Sequence, residues 1–111
     1  MIVEIRTYRI KPGMREDFLE FFRREAVPLQ RSLGIHVTGP FLDVEDPDVV
    51  VWMRSFPSLA ERDRLKSQLY DGEKWTRELK GIVMPMLNGY YSRVTQTPEW
   101  FVEELGKCVQ S

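Results

Sequence analysis

Cysteine and histidine are almost missing from this chain: it holds one of each, Cys108 and His36, among 111 residues. One thiol cannot close an internal disulfide, and one imidazole beside one thiol cannot build the clusters that hold structural zinc. No metal site is expected, and Cys108, within the last four residues, reads as a peripheral thiol. Long apolar runs are missing as well. Nothing approaches the roughly 20 residues that span a bilayer, and MIVEIRTYRI lacks the basic-then-apolar layout of a signal peptide. A cytoplasmic protein without membrane contact is the expectation. Neither sign of charge dominates: 16 basic residues face 17 acidic ones, and neither sign lines up along one face. Nucleic acid is therefore not an expected partner. Repeats and low-complexity stretches are absent, and no serine or threonine stands in a nucleophile-elbow or phosphate-loop context, which leaves acyl and phosphoryl transfer unsupported.

What is present is a 42% hydrophobic chain sized for one core. Its opening alternates, with Val3, Ile5 and Thr7 on one side and Glu4, Arg6 and Tyr8 on the other, which predicts a strand ended by Lys11-Pro12-Gly13. From Met14 the period becomes helical through Phe18, Phe21, Phe22 and Leu29, ending near Gly34, and Pro28 should kink or open that helix. Residues 35–42 read as a strand broken at Gly39-Pro40, and the acidic DVEDPD as a solvated turn without the spacing of a calcium loop. Val49 to Phe56 predicts the third strand. Ser58 and Glu61 form a capping box for a helix from Leu59 to about Tyr70, followed by a helical run through Trp75, Leu79, Ile82, Val83 and Met86. Residues 90–95 predict the last strand, and Thr97-Pro98-Glu99 a tail helix through Trp100, Phe101 and Leu105.

The order is strand, helix, strand, strand, helix, strand: an α+β, ferredoxin-like βαββαβ fold with a four-stranded antiparallel sheet. Residues 1–95 would form the domain and 96–111 a tail helix. Two helical regions cover one face of such a sheet, so the other must meet something else. On the third strand Val49, Val51 and Met53 suit the helices, whereas Val50, Trp52, Arg54 and Phe56 form a mixed set. Adding Glu4, Arg6 and Tyr8 from the first strand, and His36 from the second, gives a face too aromatic for water. The expectation is a homodimer, a dimeric α+β barrel, whose two mixed faces meet around one cavity per subunit. Arg54 there must pair with Glu4 or meet a ligand anion, because an unpaired buried charge is costly.

These residues resemble the NIPSNAP family of small dimeric α+β barrel proteins. EIRTYRIKPG (Glu4 to Gly13) is similar to its opening strand and turn, and EAVPLQRSLGI (Glu25 to Ile35) to its first helix end. VVVWMRSFPSLAER (Val49 to Arg62) and LYDGEKW (Leu69 to Trp75) resemble the strand, capping box and helix break of bacterial members. The resemblance covers about Met1 to Val94 and implies the fold; most bacterial members have no assigned reaction. The wider superfamily includes cofactor-free monooxygenases, isomerases, haem-degrading enzymes and chlorite dismutases. Haem-degrading members carry their histidine on a helix, and His36 lies on a strand, so no cofactor is expected.

Three functions follow as expectations. The first is a binding module that holds a small aromatic or amphipathic acid, with Arg6, Tyr8, Trp52, Arg54 and Phe56 as ligand contacts. The second is a cofactor-independent monooxygenase or isomerase acting on a small aromatic or enolisable substrate. There Glu4 or His36 would be the base and Arg6 or Arg54 would stabilise an enolate or phenolate. The third is a structural homodimer that satisfies its charges in the seam and takes no ligand.

Overall fold

The computed structural model describes residues 1–110, with side chains through Glu104. The side chains of Leu105 and Cys108 lie outside the described residues. β1 (Ile2–Ile10) pairs antiparallel with both β3 (Val49–Phe56) and β4 (Leu87–Gln96), and β2 (His36–Leu42) flanks β3, giving the order β2-β3-β1-β4. This is the expected ferredoxin-like arrangement.

Between β1 and β2 the chain is helical in three segments: α1 (Arg15–Phe21), a π turn at Phe22–Ala26, and α2 (Val27–Ser32). Pro28 in the first turn of α2 has no N–H for the carbonyl four residues back, and the chain opens into π geometry just before it. α3 (Leu59–Tyr70) begins as its sequence prescribes, with Ser58 Oγ accepting the Glu61 N–H at 3.2 Å. A second π segment, Lys74–Leu79, leads into α4 (Lys80–Val83) and a single 3₁₀ turn, Met84–Met86. The tail, α5 (Glu99–Gln110), packs against β2, and the Thr97 N–H ties its base to the Met1 carbonyl at 2.9 Å.

β2 breaks where its Gly-Pro pair predicts, its pairing with β3 slipping between Thr38 and Phe41. Gly39 sits at φ +120°, and a Cβ there would stand 3.0 Å from Trp52 Cβ, so close approach as well as backbone conformation demands glycine.

The faces of the sheet are the reverse of the expectation. Val50, Trp52, Arg54 and Phe56 on β3, with Ile2, Glu4, Arg6, Tyr8 and Ile10 on β1, lie beneath the helices. Val49, Val51 and Met53 point the other way. Aromatic packing fixes this: the Trp52 ring meets Phe22 at 5.1 Å and Tyr8 at 5.7 Å, and Tyr8 meets Phe18 at 5.7 Å. The physical reason is area. Trp, Phe and Ile bury more apolar surface per position than Val and Met, and Glu4 gives the buried arginines of the mixed set a shared partner in place of water. The uncovered face carries Ile5, Val51 and Met53 in its middle, with Phe41 and Tyr91 towards the edges.

Candidate functional site

Glu4, in the middle of β1, is fully buried and accepts hydrogen bonds from three arginines. Its Oε1 receives Arg6 Nη1 at 2.8 Å and Arg54 Nε at 3.0 Å, and its Oε2 receives Arg62 Nε at 2.6 Å. The pairing follows from register: Glu4 lies directly opposite Arg54, Arg6 is two residues along the same face, and Arg62 descends from the first turn of α3. Burial alone would raise the Glu4 carboxyl, but Arg54, Arg62 and Arg6 outweigh it and hold the group at about 2. A carboxylate so stabilised, with both oxygens engaged, is a weak base.

The guanidiniums are also stacked on aromatic rings. Arg6 lies 5.4 Å from the Trp52 ring and 5.3 Å from that of Tyr90, while Arg54 lies 5.6 Å from Trp52 and 5.5 Å from Tyr70. Trp52 thus shares a face with Arg54 because its ring spaces and supports both buried cations.

Above this cluster, between the sheet and the α3–α4 segment, is a cavity of about 530 Å³, within the range of small-molecule sites. Arg6, Arg54, Arg62, Lys66 and Lys80 supply charge to its wall; Tyr8, Tyr70, Trp75 and Tyr90 supply rings. The wall is almost purely donating. Tyr8 Oη already accepts Arg6 Nη2 at 3.2 Å, Tyr70 Oη accepts Arg54 Nη1 at 3.0 Å, and Ser92 Oγ accepts Arg6 Nη1 at 3.2 Å. Each hydroxyl keeps its own proton to donate. Arg54 Nη2, in a side chain with no exposed surface, has no hydrogen-bond partner among the described residues. Burial raises the Tyr8 phenol despite the lowering effect of Arg6, so the hydroxyl stays protonated at neutral pH. Burial and then the neighbouring Arg62 lower the Lys66 ammonium. Among the described residues no three His, Cys, Asp or Glu side chains gather as a metal site, and no helix is long and apolar enough to cross a membrane.

Of the residues singled out from the sequence, Glu4, Arg6, Tyr8, Trp52, Arg54 and Phe56 share the helix-covered face. Arg6, Tyr8 and Arg54 reach the cavity. Trp52 instead borders a smaller apolar pocket of about 40 Å³ with Phe18, Phe22 and Leu69, which shares Tyr8, Tyr70 and Trp75 with the larger one. Phe56 packs against the Arg54 guanidinium at 5.9 Å and is not on the cavity wall. His36 is not brought to the site. It pairs with Ser55 on the opposite face and is exposed. The cavity also lies between sheet and helices of one chain, not between sheet and partner as the mixed-face argument expected, because that face turned inward. On β4 the set facing the cavity is Tyr90, Ser92 and Val94.

Sequence reasoning missed Arg62, Lys66 and Tyr70, although the signal was there. They recur every four residues along α3, a polar stripe beside the buried Leu65 and Leu69, and such a stripe on a helix that covers a sheet lines whatever lies between them. Trp75 and Lys80 had no such signal, because the π segment shifts their angular position away from an α-helical projection.

Solved structures similar to this chain share its fold. A NIPSNAP domain protein from Burkholderia xenovorans is 23% identical, with 90% of this chain and 97% of that one covered at a TM-score of 0.79. A NIPSNAP family protein from Agrobacterium tumefaciens is 25% identical over 89% of this chain and 87% of that one, with a TM-score of 0.77. An antibiotic biosynthesis monooxygenase is similar in fold at 22% identity, covering 88% and 99% of the two chains with a TM-score of 0.65. No similar sequence is found among the curated proteins. The NIPSNAP family model matches residues 3–89, the stretch that contains β1 with Glu4 and Arg6, β3 with Arg54, and all of α3. The chain therefore belongs to the NIPSNAP family.

Proposed function

We propose that this protein binds a small acid with an aromatic or apolar body in the cavity between its sheet and the α3–α4 segment. The observation that carries the proposal is the donor-rich, cationic wall. Arginines, lysines and phenolic hydroxyls converge there, and the one carboxylate beneath them has both oxygens occupied. Such a wall favours an anion over a cation, since its charged groups are all cations and its hydroxyls carry protons to donate, and the rings of Tyr8, Tyr70, Trp75 and Tyr90 suit a flat ligand body. Native mass spectrometry of protein purified without added ligand tests this, together with calorimetric titration of benzoate against uncharged benzamide. Bound mass that identifies as an organic acid, or selective binding of the acid, supports the proposal. If no aromatic acid binds at millimolar concentration, it falls.

A cofactor-independent monooxygenase or isomerase remains the second reading, supported by likeness of fold to the antibiotic biosynthesis monooxygenase. In that reading Glu4 is an electrostatic anchor, since a carboxyl held at about 2 is a poor proton acceptor at neutral pH. We further propose a homodimer formed through the uncovered sheet face around Ile5, Val51 and Met53, with residues 96–111 as a clamp on a 1–95 domain. Light scattering on Met53→Glu and on a chain ending at Thr95 tests this; two unchanged dimers would refute it.

A further inference from the structure

The cations around the cavity stand at two depths. Arg54 is wholly buried and Arg6 nearly so, on strands at the floor. Lys66 is half-buried and Lys80 exposed, on helical segments at the rim, and Arg62 bridges the two levels from α3 with a side chain 18% exposed. Glu4 answers the floor, and Asp63 reaches Arg62 Nη1 at 3.4 Å from the solvent side. Five cations against these two carboxylates leave an excess of three. Neither Lys66 nor Lys80 has an ion-pair partner among the described residues, whereas Lys74, six residues before Lys80, pairs with both Glu25 and Glu78. The rim lysines thus make no direct ion pair, and Lys66 feels Glu4 only at a distance, where nearby surface charges are matched directly.

A ligand with one negative charge would be met at the floor by Arg6, whose side chain keeps 7% of its surface open above the wholly buried Arg54, and would leave the rim excess in place. We infer that the ligand carries two acidic groups at opposite ends of an aromatic or apolar body. One group meets Arg6 at the floor, with the buried charge of Arg54 behind it, and the second meets Lys66 and Lys80 at the rim. The inference rests on the proposed acid-binding role of the same cavity. The rings of Tyr8, Tyr70, Trp75 and Tyr90 line the same wall and are suited to hold the body between the two charged ends. The half-buried ammonium of Lys66, destabilised by burial and by Arg62, gains most from a second anion.

The test is calorimetric titration at fixed ionic strength with benzoate, which carries one charge; terephthalate, which carries two at opposite ends of a ring; and phenyl phosphate, which carries two on one group. Terephthalate should bind at least tenfold more tightly than benzoate, and in the Lys66→Met/Lys80→Met double variant that advantage should vanish. A thermal melt of the variant establishes that it is folded, and both lysines stand outside the core. Equal affinity for benzoate and terephthalate overturns the inference while leaving acid binding intact. Preference for phenyl phosphate over terephthalate, unaffected by the double variant, also overturns it, because both charges would then sit at the floor. If none of the three binds, the acid-binding proposal fails with it.

Discussion

Replacing Glu4 by Gln keeps the shape of the side chain and removes the charge that three arginines share, so it should destabilise the fold and not merely the site. Two routes give the magnitude. The carboxyl is held at about 2 against an ordinary value of 4.5, and that difference corresponds to about 3 kcal/mol of stability at neutral pH. Breaking a buried ion pair by removing one partner independently costs about 3–5 kcal/mol. At roughly 2.1 cal/mol/K of unfolding entropy per residue, a chain of 111 residues should lose about 13–20 °C in Tm. The sign with pH is also fixed. The depressed carboxyl contributes fully above its unfolded value, and its contribution shrinks as pH falls through 4.5 and is gone near 2. Differential scanning calorimetry of Glu4→Gln and wild type at pH 7 and pH 3 should show a gap at pH 7 that narrows to less than half at pH 3. A gap under about 4 °C at pH 7, or one that does not narrow in acid, would refute the account of Glu4 as the anchor of the arginine cluster.

His36→Ala should leave the affinity for aromatic acids within about twofold by calorimetry, because the imidazole projects from the opposite face of the sheet. Trp52→Phe removes an indole N–H that has no partner among the described residues, so the lost packing is partly offset. Urea titration should give a cost below about 1.5 kcal/mol, well short of a typical core truncation. Gly39→Ala adds a Cβ at φ +120° and 3.0 Å from Trp52 Cβ, so the same titration should show a loss of about 1–3 kcal/mol.

The strands, the capping box, the opening of the first helix at Pro28 and the break in β2 were legible because each rests on local chemistry: alternation, a cap, a missing N–H, a Gly-Pro pair. The pairing of Glu4 with Arg54 was legible as one of two ways to satisfy a buried guanidinium, the other being a ligand anion. Which face met the helices was not. Alternation gives two sets of residues and no label, and the reading assumed that charges avoid the intramolecular core. Glu4 makes that assumption unnecessary, because with three guanidiniums around one carboxylate the mixed face could take the larger apolar payload inside. His36 left the site for the same reason, as the parity of β2 follows that of β3.

The π segment Lys74–Leu79 bears on which length changes this family fold tolerates. Each residue added to or removed from a helix turns everything beyond it by about 100°. The wide turn holds one more residue than an α turn, and with it Trp75 lines the cavity while Leu79 stays in the core. Deleting a single residue there would restore α geometry and leave Lys80, Val83 and Met84 near their present angles, because the wide turn absorbs its extra residue locally. The same deletion in an ordinary α turn would swing those residues off the wall, so the π segment is where this fold can change length by one codon and keep its cavity.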